Sequence, residues 1–423
     1  MTEVPPNTLS SMKILTAAIQ FGSSRICAAA AKINENGSYE VIAIESVATS
    51  GCLQYGCVTN IDETAQRIKS LMQKLSNRVM GNGFGALQSA YVGLCGISMH
   101  SMEYHPTVML PEGQKVTDDV VLQLQQKSRE ISIQDYDILG LKDNGCTVEG
   151  ETAQGHHQLI LANHRLKQGI LQAMERAHIQ AAGFLATPLL LGDILTTEEK
   201  QQGCLLLDLG AKLTSISIYK EGKLRFLTVL PLGCDSVTYD IASLGMRVDE
   251  AEDLKRTWSD ASNPSVDKLQ TPSLPMEVNV KELNIITMSR YEEIASNIQH
   301  QVEKAGYSKL LDGGCILTGG GSVQKGLTTL LSRRLETSRI STRSCNTIRY
   351  ANSERKPHLA SLMSMLNYCT VSCEAPKKAE PAPPKVTSEP QTVTAVPVGA
   401  RPTKSKKTGI RDFFGDLFSG LDE

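Results

Sequence analysis

The chain has 423 residues, 41% of them apolar, and a formal net charge of −2. That length allows more than one domain with its own core, and the balanced charge gives no global basic field for nucleic acid. Eleven cysteines lie scattered without a CxxC pair or metal-site spacing, which is the usage of buried reduced thiols rather than of a disulfide framework or zinc site.

The opening stretch, MTEVPPNTLSSMK, lacks the apolar core of a signal peptide, and residues 1–12 read as disordered. Residues 13–48 then read as strand, glycine turn, strand, hairpin at Asn36-Gly37, strand. A helix follows over Asp62–Met80, with Ile61, Ala65, Ile68, Met72, Leu75 and Val79 on one apolar stripe. A polar helical stretch near Asp118–Glu130 and a strand over Gly155–Asn163 come next. Residues 203–233 repeat the first pattern, with a hairpin at Glu221-Gly222 and a helix over roughly Asp235–Gly245. Two copies of β-β-β-α predict two similar α/β lobes with a cleft between them.

Three glycine turns can approach an anion. The first is Gln20-Phe21-Gly22-Ser23-Ser24 and the second is Asp208-Leu209-Gly210-Ala211-Lys212, with Thr214 just beyond. Both join consecutive strands, where glycine lets the backbone turn tightly and leaves N–H groups free for a phosphate. The third, Gly319-Gly320-Gly321-Ser322, lies between the strand Cys315–Leu317 and a helix near Gly326–Leu335, so a helix N-terminus is expected beside the cleft. Glu252 and Lys255, three apart on a helix, share a face and read either as ligand contacts or as a solvated ion pair.

Composition changes after Cys373. Residues 374–409 hold seven of the seventeen prolines and no aromatic residue, so 374–405 reads as a flexible linker. Ile410, Phe413, Phe414, Leu417, Phe418 and Leu421 then fall on one helical face behind Lys404, Lys406 and Lys407. In a chain with 4% aromatic residues, such a face beyond a linker predicts an amphipathic helix over 406–423, lying in a membrane interface with its lysines near anionic lipid. Docking on the protein's own body or in a partner's groove is the alternative.

The order of turns resembles the actin/Hsp70/hexokinase nucleotide-binding fold, in which the first two turns cradle phosphates and the third abuts the adenosine. Several stretches resemble more closely one family, the bacterial cell-division protein FtsA, an actin-like partner of FtsZ. They include FGSSRICAAAAKI, GCVTNIDETAQRIKSLM, AYVGLCGISMHS, VLPLGCDSVTYDIASLGMRVDEAEDLK and ILTGGGSVQKGL. The resemblance implies a first lobe built from 13–88, 166–200 and 346–373, a second from 201–345, and between them an inserted subdomain over 89–165 that contacts filament neighbours. It implies ATP, with Mg²⁺, held by Gly22, Ser23, Ser24, Asp208, Gly210, Thr214, Glu252, Lys255, Gly319, Gly320, Gly321 and Ser322, with Asp208 the one candidate catalytic residue. It also implies self-association into filaments, FtsZ and other division proteins as partners, and a place on the cytoplasmic face of the membrane at the septum.

Two departures bear on catalysis. Gln20 stands where the family has an Asp that helps position the metal, and an amide cannot replace carboxylate charge there. Ala211-Lys212-Leu213 replace most of a run of small residues and threonine. Nucleotide binding with weak or absent hydrolysis follows from these changes. A small-molecule kinase on the same fold, or another bacterial actin homologue, is the alternative.

Overall fold

The computed structural model describes residues 14–49, 51–111, 115–262, 279–308, 311–345, 349–350 and 356–375. The expected disordered start (1–12), nearly all of the linker, and the expected amphipathic helix with Lys404, Lys406, Lys407, Ile410, Phe413, Phe414, Leu417, Phe418 and Leu421 lie outside them.

The first lobe opens with β1 (Ile14–Phe21), β2 (Arg25–Ile33) and β3 (Tyr39–Ala48), paired antiparallel in sequence. The small hairpin of β4 (Leu53–Gln54) and β5 (Cys57–Val58) leads into α1 (Ile61–Gly81). Asn60 caps that helix by accepting from the Glu63 amide, and Asp62 and Glu63 sit at its positive end. Its stripe is buried at Ala65, Ile68, Leu71, Met72, Leu75 and Val79 against β2 and β3, and each large apolar side chain there contributes ~1.5–3 kcal/mol before ordering costs. Ala17, Ala18 and the run Ala28–Ala31 are buried in the sheet centre. Side chains this small let layers approach closely on both faces: α1 covers one, and α10 (Ala360–Leu366) lies against β1 and β2.

The middle of the chain supplies β6 (Ser89–Leu94), β7 (His100–Tyr104), β8 (Thr107–Met109), α2 (Asp118–Glu130), β9 (Tyr136–Glu149), β10 (Thr152–Asn163), α3 (His164–Arg176), β11 (Gln180–Ala186), α4 (Thr187–Leu190) and α5 (Thr197–Gln202). Strand β6 pairs parallel with both β1 and β11, so the inserted segment expected to begin at Ser89 starts inside the first sheet. Its own strands begin at β7. These join the second lobe's sheet edge, because β7 meets β14 (Lys223–Leu230) at Thr228↔His100.

The second lobe repeats the plan with β12 (Cys204–Leu209), β13 (Thr214–Lys220) and β14, followed by α6 (Asp235–Ala242), α7 (Val248–Thr257) and α8 (Val280–Lys304). Then come β15 (Gly314–Thr318), α9 (Leu327–Arg334), β16 (Ile340–Thr342) and β17 (Arg349–Tyr350), the last pairing back onto β3. The β13–β14 hairpin turns at Glu221-Gly222, both with positive φ (56° and 75°), the geometry of a two-residue primed turn. Strand β12 alternates as a fully buried strand must: Leu205, Leu207 and Leu209 enter the core under α6–α9, while Cys204 and Leu206 join the core of the first lobe.

Three expectations are corrected. Helix α6 stops at Ala242 instead of reaching Gly245. The third glycine turn itself forms a single-turn 3₁₀ segment over Gly320–Val323, so the N-terminus beside it is that of this segment, and α9 starts further on at Leu327. Glu374 and Ala375, expected in the linker, are held in the body: Glu374 Oε1 accepts from the Gly85 amide at 2.6 Å, and the Ala375 amide donates to Ala86.

Candidate functional site

The first two glycine turns are the same object built twice. In the first, the Gly22 amide donates to the Arg25 carbonyl at 3.0 Å; in the second, Gly210 donates to Leu213 at 2.9 Å. A Cβ on Gly22 would lie 2.8 Å from Arg25 O, and one on Gly210 would lie 2.9 Å from Leu213 O, so both turns need glycine for the same steric reason. In each, the chain just past the third strand ties down the turn's carbonyls. Thr49 donates from its amide to Ser24 O and from its hydroxyl to Ser23 O. Cys234 and Asp235 donate to Gly210 O and Ala211 O. The amides of Ser23, Ser24, Ala211 and Lys212 donate to nothing among the described residues. Two tight turns thus hold their acceptors satisfied and their donors free, which is the state of an anion nest.

The segment Pro357–Ser361 lies between the lobes and beside the second and third turns. Pro357 O accepts from the Gly319 amide (3.3 Å) and the Thr318 hydroxyl (3.2 Å). Ser361 Oγ donates to Asp208 Oδ2 at 3.2 Å. His358 stands beside Gly320, where a Cβ would meet only the His358 Cβ, at 3.8 Å. Burial, then Lys356, Arg25 and Arg256, hold His358 below its usual range. Burial pushes the Asp208 carboxyl up to about 6, against the lowering effect of the Ser361 hydrogen bond. Its neighbour across the lobes is Cys95, whose thiol is pushed up first by burial and then by the Asp208 charge.

The three glycines of the third turn have separate tasks. Gly319 takes φ +85°, and a Cβ there would strike Asp208 Oδ1. Gly320 is open. Gly321 is buried, and a Cβ would collide with Cys234 Sγ, so its smallness serves packing and not ligand approach. Ser322 is buried and donates to Gly319 O at 2.8 Å. Thr214 is buried too, its hydroxyl donating to Leu232 O at 2.7 Å.

Glu252 and Lys255 do share a face, but not a solvated one. Lys255 is 5% exposed. Its ammonium contacts Glu252 Oε2 (2.5 Å), Thr238 Oγ1 (2.7 Å) and Cys234 O (3.1 Å), and Thr238 also donates to Glu252 at 2.6 Å. Three acceptors match its three donors, so the pair locks α7 onto α6. Asp235 lies in the same field; burial raises its carboxyl while Lys255 and Lys212 lower it.

Sequence reasoning missed Ser361, His358, Arg25, Arg256 and Cys234. Ser361 lies 153 residues from its partner Asp208, and no local pattern announces such a contact. Cys234 had a weak signal in Gly233, which a loop needs when it crosses a turn: a Cβ there would lie 2.4 Å from Ala211 O.

Duplicated β-β-β-α lobes meeting at paired glycine turns define an actin-like protein. Among solved structures, the PilM-PilN type IV pilus biogenesis complex shares the fold, with a TM-score of 0.62 at 19% identity, covering 83% of this chain and 98% of that one. A family model described as "Cell division protein FtsA" matches residues 205–364. The chain is 30% identical over 337 residues to the Cell division protein FtsA of Porphyromonas gingivalis, covering 74% of this chain and 69% of that protein. It is 26% identical over 334 residues to that of Pseudomonas aeruginosa, covering 74% and 79%. The chain belongs to the FtsA family of cell-division proteins.

Proposed function

We propose that this chain binds ATP between its lobes and, as an actin-like division protein, assembles with copies of itself and tethers an FtsZ ring to the cytoplasmic face of the membrane. The observation that carries the nucleotide reading is the pair of matched turns, with the free amides of Ser23, Ser24, Ala211 and Lys212. Hydrogen bonds to a charged group are worth about 1.5–3 kcal/mol each. Four of them would contribute about 6–12 kcal/mol before the costs of binding. The cations Arg25, Arg256 and Lys356 around His358 add attraction for a polyphosphate, and open Gly320 leaves room for a nucleoside.

The fit to Mg²⁺ is poorer. Asp208 is the one carboxylate among the expected turn residues, and it is bonded to Ser361; the matching place in the first lobe is Gln20. Mg²⁺ is held by one or two carboxylates plus the substrate's phosphates, so Asp208 is the residue that would hold it here. With one carboxylate in place of two, hydrolysis is slow or absent.

Membrane tethering rests on the apolar face of Ile410, Phe413, Phe414, Leu417, Phe418 and Leu421 and on the lysines before it. Flotation with anionic liposomes tests it. The intact chain should float, and Phe414→Glu/Phe418→Glu should stay at the bottom with ATP affinity unchanged. An intact chain that does not float, with a loss of thermal stability in the double variant, would favour docking on the body instead; equal flotation of both proteins would show that this face is not the anchor. Co-sedimentation with purified FtsZ, with and without liposomes, tests the partner.

A further inference from the structure

A second constellation lies far from the cleft, in the inserted segment. His105 sits at the corner between β7 and β8, and His156 on β10. Their Nδ1 atoms are 3.1 Å apart, and the rings stand edge to face at 77° with centroids 5.1 Å apart. The backbone fixes both positions. The Gly155 amide donates to Pro106 O at 2.8 Å, and a Cβ on Gly155 would press on the Pro106 ring at 3.1 Å, so the His105-Pro106 corner is held against β10. His156 lies where the β9–β10 register breaks: Gly155 pairs with Cys146 but His157 pairs with Asp143, leaving Asn144 and Gly145 opposite His156 alone. Such a bulge re-aims a side chain. The neighbouring His157 is buried and turned away, bonded to Ser128 Oγ at 2.6 Å.

We propose that His105 and His156 form a two-histidine site for a borderline divalent transition ion of the Zn²⁺ class, bound through both Nδ1 atoms. Two nitrogens each about 2.0–2.1 Å from one zinc, set this far apart, subtend roughly 100° at the ion, near the tetrahedral angle. One outward nitrogen is already supported, and the other has a carboxylate nearby. His156 Nε2 is 3.1 Å from Thr147 Oγ1, and His105 Nε2 is 3.6 Å from Glu103 Oε1. Metal-binding imidazoles characteristically hand their second N–H to such an oxygen, which fixes the ring and its tautomer. Imidazole nitrogen selects zinc, copper or nickel over magnesium and calcium.

Among the described residues no three His, Cys, Asp or Glu side chains converge on one point, so the pair supplies two ligands and the remaining positions face solvent. They open beside a cavity of about 280 Å³ lined in part by Glu103, Thr147, His156, Lys223 and Arg225. Asn144 also lines it, and its Oδ1 is buried without a partner among the described residues, an acceptor suited to a metal-bound water. The two cations in the wall favour water or an anion over a further cation beside the ion.

Without metal, His105 Nδ1 lies 3.1 Å from His156 Nδ1 and 3.3 Å from the Gly155 carbonyl; an Nδ1–H on His105 that donates to either must be displaced for the ion to bind, and the experiment separates the two states. The full-length protein is treated with diethylpyrocarbonate with and without ZnCl₂, and each histidine is followed by mass spectrometry. Bound zinc occupies the lone pair that attacks the reagent. Labelling of His105 and His156 should fall together by ~10-fold, that of half-buried His164 should not change, and MgCl₂ should protect neither. In zinc calorimetry His105→Gln/His156→Gln should lose one ion per chain relative to wild type, whatever the thiols bind. Thr147→Val should weaken that site by about 10-fold, the lower end for loss of a supporting hydrogen bond. Equal labelling with and without zinc, equal protection by magnesium, or an unchanged zinc count in the double variant would each overturn the proposal.

Discussion

The turns at Gly22 and Gly210 share a backbone and differ in side chains. Each donates from its glycine to the carbonyl three residues on, and each has its acceptors closed off by chain from beyond the third strand. Yet the residue two before the glycine is Gln20 in one and Asp208 in the other, and Ser23-Ser24 face Ala211-Lys212. Duplication preserved the tight backbone turn with its free N–H groups. It did not preserve the part that would organise a metal. On the function proposed above, binding and hydrolysis are therefore separable.

The most damaging way to probe the shared part is a methyl group on each glycine. Gly22→Ala and Gly210→Ala each force a Cβ against a backbone oxygen. Each should cost about 1–3 kcal/mol of stability and lower ATP affinity at least ~10-fold by calorimetry, with loss of one or two charge-assisted bonds. Similar losses in the two variants sustain the equivalence of the turns; an unaffected Gly22→Ala would break it.

The unshared part is probed by making the turns alike. Gln20→Asp supplies the second carboxylate and should make ATP affinity more Mg²⁺-dependent and turnover faster. The unmodified chain should turn over well below the ~10 s⁻¹ of a median enzyme. Brisk steady-state hydrolysis in the unmodified chain would contradict this.

A smaller effect comes from removing the Asp208 charge. Its carboxyl is raised to about 6 from an ordinary 3.8, so the ionised form opposes folding. The associated stability is complete below the unfolded value, near pH 4, and is lost as pH rises through 6. Asp208→Asn should therefore leave the melting temperature unchanged relative to wild type near pH 4 and raise it above pH 6. A gain that is the same at both pH values would show that the buried charge is not its source. Smallest of all, Ser361→Ala removes the one hydrogen bond that favours the Asp208 carboxylate and should cost about 0.5–1.5 kcal/mol at neutral pH, read as a shift of the urea midpoint.

Local signals in the sequence carried much of this. The Asn36-Gly37 and Glu221-Gly222 hairpins, the stripe of α1 and the repeated strand order are short-range patterns, and the structure forms each of them. The site was legible only as backbone. Glycine announces a turn, but nothing near Lys255 tells whether its ammonium faces a ligand or, as here, Cys234 O and Thr238 on the next helix. Gly320 and Gly321 look alike in the sequence; only the position of Cys234 makes one open and the other packed. The inter-lobe segment Pro357–Ser361 carries no pattern of its own, because its role comes from where two sheets place it. The bulge that turns His156 toward His105 depends likewise on the register of β9 against β10.

The central claim concerns four backbone N–H groups, and they can be watched directly. In amide-resolved NMR of the labelled full-length chain, adding ATP should shift the resonances of Ser23, Ser24, Ala211 and Lys212 together, along one binding curve. Adenosine should leave all four nearly unmoved. Saturable ATP binding without shifts at these amides, or shifts confined to one turn, would contradict a phosphate held between two matched turns.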